Sequence, residues 1–223
     1  MTKTTKIWIA NAILMTAMAA TSIGSMAQAP AAPAGQAPAG QAPGGQASGG
    51  RGGGRGGGGN RGRLALTTDG FDDGGIIPIK YSAAAEGGAT VSPKLTWTGA
   101  PDGVVSYALI LHDPDTSMMR GTAQYLHWLI FNIPGTTTEL PEGVATTPTL
   151  PDGSIQLMNS GRKPGYAGMG AGPGPYHHYT FEMYALDTKL TLGADATQDD
   201  VMKAMDGHVL GKATVVGRYH RVQ

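Results

Sequence analysis

Four short stretches of this sequence carry side chains able to hold or move a proton. "LILHDPDT" ends an apolar run with His112, Asp113 and Asp115 around Pro114. "YLHWLIFN" sets His127 inside a second apolar run, and "GPGPYHHYTFEMYALD" places His177 and Tyr179 two residues apart, just after Gly172 and Pro173. Imidazole nitrogens and a phenol can donate to oxygen atoms, and an aspartate beside an imidazole fixes its tautomer. Together these groups are the parts of a compact pocket for a small anion, one that needs no lysine or arginine. Singly, each has a plainer reading. An Asp-Pro pair commonly ends a strand in a turn. A lone strand histidine is commonly a core group bonded to a carbonyl, and a tyrosine beside it can simply sit at the rim of the core.

The fourth stretch, "GRKPGYAGMGAGPGPY", is rich in glycine but fails as a nucleotide loop. Such a loop needs a strand before it and a helix after it, whereas here Pro173 and Pro175 intervene and a strand pattern follows. What its composition offers is a lip of bare backbone, with amides able to face a small anion. The same side chains could serve hydrolysis as acid, base and oxyanion donors. No activated nucleophile accompanies them: Ser117 and Ser160 lack a G-x-S-x-G elbow, and the chain has no cysteine. Asp113, His127 and His177 have the donor chemistry for zinc, but their spacing is no local metal motif. No metal or other cofactor is expected.

Strands must position these groups. "IIPIKYS", "PKLTWTG", "SYALILHD", "YLHWLIFNI", "HHYTFEMYAL" and "ATVVGRYHRV" all read as strands, separated by Gly, Pro and Asp clusters. Alternation along the fifth puts His177, Tyr179, Phe181 and Met183 on one face and His178, Thr180, Glu182 and Tyr184 on the other. The same rule puts His127 on the face of Tyr125, Leu129 and Phe131, with Trp128 opposite. "TQDDVMKAMDG" is the one convincing helix, with Thr197 and Asp200 forming a capping box, Val201, Met202 and Met205 an apolar stripe, and Gly207 a stop. Crowded strands with one late helix predict a mostly β, antiparallel domain.

Composition divides the chain. Residues 1–27 read as a secretory signal: "MTKTTK" carries two lysines, "IWIANAILMTAMAA" is an apolar core, and "SMA" offers small residues for cleavage. An uncleaved anchor is the rival, but Asn11, Thr16, Thr21 and Ser22 interrupt a run that would need about 20 apolar residues. Residues 28–63, Ala/Pro/Gly/Gln repeats followed by "RGGGRGGGGNRGR", have too little bulk to offset ordering entropy and read as a flexible linker. Arg51, Arg55, Arg61 and Arg63 suit it to touch an anionic envelope surface. Residues 64–223 hold ten Lys/Arg against sixteen Asp/Glu, so the folding part is acidic by six charges. That argues against nucleic acid as a partner.

In this order and spacing, "SPKLTWTGAP", "DPD", "LHWLIFNIPG", "GPGPYHHYTFEMYALD" and "GHVLGKATVVGRY" resemble the phosphatidylethanolamine-binding protein family, which includes the Raf kinase inhibitor proteins. The likeness runs from about Leu64 to Tyr219 and is closest to the small bacterial branch. It implies a large antiparallel sheet packed on a smaller one, with one or two short helices and a shallow pocket for phosphate-like anions at one end. It also implies that Asp113 and Asp115 are the family's DPD pair, that His127 and His177 are its pocket histidines, and that Tyr179 is its pocket tyrosine. The sequence departs from the pattern at His178, where an arginine is usual, and in "GMGAGPGP", which is looser than the family's Gly-Pro-Pro lip. Met118 and Met119 add an apolar rim, and the C-terminal helix of eukaryotic members has no counterpart. The resulting expectation is an exported, periplasmic or secreted, non-enzymatic protein that binds a small anion or phospholipid head group. The alternative is an inhibitor acting on an envelope protease or kinase partner.

Overall fold

The computed structural model describes residues 63–116 and 121–222. The expected signal, the linker up to residue 62, and Ser117, Met118 and Met119 lie outside the described residues. Among the described residues, eight strands form two antiparallel sheets. The smaller has the order β1 (Ala65–Thr68), β2 (Leu95–Thr98), β5 (Glu139–Leu140). The larger has the order β6 (Ile155–Gln156), β4 (Tyr125–Pro134), β3 (Ser106–Asp113), β7 (His177–Leu186), β8 (Val209–Tyr219). Among the described residues one α-helix, α1, spans Gln198–Met205.

Layering follows from the apolar pattern. β3 and β4 are buried along almost their whole length, as strands covered on both faces must be. Leu109, Leu111, Trp128, Ile130, Phe181 and Met183 pack toward Leu66, Leu95 and Trp97 of the small sheet. Ile110, Leu129, Phe131, Tyr184 and Leu186 pack on the other side against Val201 and Met205 of α1. The large sheet is therefore the middle layer. Trp97 and Tyr107 bridge it to the small sheet, edge to face with ring centroids 5.2 Å apart, a geometry that suits the aromatic quadrupoles.

Local signals explain the helix. Thr197 Oγ1 accepts the Asp200 N–H at 3.2 Å, and Asp200 Oδ2 accepts the Thr197 N–H at 3.0 Å, closing the capping box. Gly207 adopts φ +80° just beyond the last turn, a conformation that costs glycine little. The expected stripe needs correction: Val201 and Met205 are buried, one turn apart, while Met202 is 41% exposed.

Other differences have backbone causes. "IIPIKYS" is not a strand. Pro78, which has no N–H for a ladder, leads instead into a 3-10 turn at Ile79–Tyr81, and the stretch keeps only isolated bridges, Ile76 to Arg218 and Ser82 to Met169. β8 begins at Val209, earlier than "ATVVGRYHRV" indicated, and ends before His220. β1, β5 and β6 are too short to give an alternation signal.

Candidate functional site

Asp113 closes β3, and Pro114 turns the chain immediately after it. The Asp113 carboxylate is 3% exposed in the residue as a whole and is saturated by donors. Oδ1 accepts the Asp115 N–H at 2.9 Å; Oδ2 accepts the Thr116 hydroxyl at 2.9 Å and His177 Nδ1–H at 2.8 Å. A buried carboxylate requires such partners. One donor comes from its own turn and another from β7, so Asp113 fixes the turn and the ring together.

β7 alternates as its sequence predicts. Tyr179, Phe181 and Met183 face the inter-sheet core, while His178 is exposed on the opposite side. Asp115 serves that opposite side: its Oδ2 accepts the His178 backbone N–H at 2.7 Å and His178 Nδ1–H at 2.9 Å. The backbone bond first, and the imidazole after it, hold the Asp115 carboxyl below the ordinary aspartate value.

His127 does not follow strict alternation. Leu111 of β3 pairs with Trp128, but the next residue, His112, pairs with Leu126. His127 is thus the extra residue of a β-bulge, a device that re-aims side chains near the ends of strands. The face expected for it is corrected accordingly. Leu129 and Phe131 belong to the helix-side core, whereas His127 packs edge-on against Tyr179 at 5.1 Å and beside Tyr125 at 4.6 Å. His177 stacks on the same Tyr179 at 6.5 Å. One tyrosine ring therefore gathers both imidazoles.

His127 is 3% exposed, and its Nδ1 lies 2.8 Å from the Ala167 carbonyl. A carbonyl can only accept, so Nδ1 carries the proton and Nε2 is the nitrogen left for a ligand. Burial lowers the imidazole pKa from its ordinary 6.5, opposed by the Ala167 bond and the Asp113 charge. The same tautomer holds at His177, whose Nδ1–H is committed to Asp113.

These groups border a cavity of about 450 Å³ that is open to solvent. Asp113, Thr116, Tyr125, His127 and His177 supply its polar and aromatic side chains. Ala83, Ala167, Gly168, Gly170, Ala171 and Gly172 complete the lining, which among the described residues contains no lysine or arginine. The glycine-rich wall is anchored at several points. Ala83 N–H bonds the Met169 carbonyl at 2.9 Å, the Arg221 N–H bonds Ala171 O at 3.2 Å, and His220 Nδ1 bonds Gly174 O at 2.6 Å.

Of the residues expected to meet a ligand, Asp113, His127, His177 and Gly172 line the cavity. Three do not. Asp115 is turned outward onto His178. Pro173 is exposed beyond the lip. Tyr179 is fully buried beneath the histidines and accepts the Ala171 N–H at 3.1 Å. Burial, and then the Asp113 charge, push its phenol far above the ordinary range, so it stays protonated. Thr116 and Tyr125 were legible but not singled out, one adjacent to "DPD" and the other two residues before His127. Ala83 carries no sequence signal. It arrives through a parallel bridge between Ser82 and Met169.

Comparison with known proteins agrees with this architecture. Residues 67–220 match the family model described as phosphatidylethanolamine-binding protein. A UPF0098 protein of Methanothermobacter thermautotrophicus is 44% identical over 156 residues, covering 70% of this chain and 98% of its own length. A UPF0098 protein of Chlamydia pneumoniae is 33% identical over 159 residues, covering 71% and 99%. Among solved structures, a phosphatidylethanolamine-binding protein homologue from Chlamydia trachomatis superposes with a TM-score of 0.63 at 30% identity, covering 72% of this chain and 99% of its own. Escherichia coli YbcL, described as a member of the mammalian family, gives 0.64 at 26% identity with the same coverage. A binding or regulatory protein is the coarse role this kinship supports. With an antiparallel sheet pair, a DPD turn and two histidines on a shared tyrosine, the chain belongs to the phosphatidylethanolamine-binding protein family.

Proposed function

We propose that this protein binds, without turning over, a small phosphate-like anion or phospholipid head group in the cleft between His127 and His177. The observation that carries the reading is the convergence of two imidazoles on one open cavity, each with Nδ1 committed to a protein acceptor and with no acceptor on Nε2 among the described residues. Nε2 donates to an anion only when the ring is protonated, so binding takes up protons. The Asp113 carboxylate beside His177 offsets the second positive charge this creates.

The geometry favours binding over hydrolysis. The Thr116 hydroxyl donates to Asp113 and lies 3.3 Å from His177 Nδ1, the nitrogen that already holds a proton. A general base needs its unprotonated nitrogen on the nucleophile. Ser160 is also occupied, accepting the Leu126 N–H at 3.0 Å. Turnover of generic phosphoesters by the purified protein would overturn the non-enzymatic part of the reading.

Calorimetric titration with inorganic phosphate, phosphorylethanolamine and acetate tests the ligand class. The parent is expected to bind at least one of these, and His127→Ala to lose about tenfold or more, the size of one charge-assisted hydrogen bond. Silence from the parent, or equal binding by the variant, removes the proposal. The protein acts after export in this reading. Cell fractionation and mass measurement of the mature N-terminus check that step.

A further inference from the structure

The loop that lines the cavity together with the histidines contains five glycines between residues 165 and 174. The fold explains three of them. Gly165 and Gly174 have φ of +79° and +146°, regions where a side chain is strained. A Cβ on Gly168 would stand 2.5 Å from the Ser82 carbonyl carbon and 2.5 Å from Thr90 Cγ2. It would prise this loop from the segment that supplies Ala83.

Gly170 and Gly172 are different. Neither has a left-handed φ, and among the described residues no atom beyond their chain neighbours lies within 4 Å of where a Cβ would sit. Their neighbours Met169 and Ala171 are buried in the inter-sheet core. The extended strip therefore alternates, and its bare positions are turned outward onto the cavity that both glycines line. Glycine at such a position costs stability, because the unfolded chain gains freedom that alanine would deny it. Backbone conformation and packing give no reason for either residue. The open volume in front of them does.

We infer that Gly170 and Gly172 set the size of ligand this cavity admits. With no side chain there, a clear path runs beside the histidines, and the organic substituent of a phosphomonoester crosses it while the phosphoryl group faces His127 and His177. The inference rests on the anion-binding reading above. A methyl at either position narrows the path without touching the imidazoles. One methylene in a pocket commonly shifts discrimination by about 10–200-fold.

The test uses the full chain with Gly170→Ala and Gly172→Ala, titrated with inorganic phosphate, methyl phosphate and phenyl phosphate, and melted alongside the parent. The melting temperature should match or exceed that of the parent. Affinity for phenyl phosphate should drop about tenfold or more, methyl phosphate less, and inorganic phosphate within roughly threefold. Equal losses for all three probes, no loss for any, or a lowered melting temperature overturns the inference while leaving the anion site standing. If the parent binds none of the probes, the anion reading fails, and the size filter with it.

Discussion

Two adjacent histidines on β7 each donate Nδ1–H to one aspartate of the same turn, at 2.8 Å for His177–Asp113 and 2.9 Å for His178–Asp115. The covalent chemistry is identical. The surroundings are not: side-chain exposure is 28% and 4% in the first pair against 51% and 41% in the second. Strand alternation alone separates them, sending one ring to the cavity and its neighbour to solvent. An exposed pair gains little from its Coulomb attraction because water screens it. Around the inner pair, desolvation makes every remaining hydrogen bond count. The turn is thus pinned to both faces of β7, but only one pin belongs to the site.

The comparison breaks most visibly at Asp113. Asp113→Ala strands the Asp115 amide, the Thr116 hydroxyl and His177 Nδ1 together. The expected loss is about 1–3 kcal/mol of stability, the penalty for abandoned buried partners, with phosphate binding abolished. Denaturant unfolding and calorimetry read the two effects separately.

pH sharpens the same contrast through His127, whose pKa burial depresses below 6.5. Between its folded and unfolded pKa values the unfolded chain holds more protons. The neutral ring therefore contributes full stability above about pH 6.5, and that contribution is lost as pH falls toward the folded value. Anion affinity should move the opposite way, rising from pH 7.5 to 5.5 because the bound ring must be protonated. Acid thus weakens the empty fold while strengthening the complex. Unfolding curves and titrations across this window check both signs; His127→Gln should flatten the stability trend and reduce, not abolish, the affinity trend, because His177 still takes up a proton.

The smallest effects belong to the outer pair. Asp115→Asn and His178→Ala should each change stability by no more than about 1 kcal/mol and leave phosphate affinity at the parental value, as measured on the same instruments.

Sequence revealed the parts of the site better than their arrangement. Asp113, His127 and His177 stood out because ionisable residues are conspicuous in apolar runs, and period-2 alternation assigned His177 and His178 to their faces. Alternation misassigned His127 because a bulge adds a residue without any residue type announcing it. The small sheet's extra strands escaped notice because two to four residues carry too little pattern. The lip holding Gly170 was legible as bare backbone, whereas its approach to Ala83 was silent for a third reason. That approach joins residues more than eighty positions apart, and small side chains leave no local trace of it. Pro78 was visible, but the apolar flanks of "IIPIKYS" outweighed it in the strand reading.

The most direct measurement follows the ring nitrogens themselves by proton–nitrogen correlation NMR while inorganic phosphate is added. Nε2 of His127 and of His177 should shift together toward the protonated form, with Nδ1 of both remaining protonated and His178 unmoved. Unchanged spectra for the two inner rings, or an equal response from His178, would contradict the account.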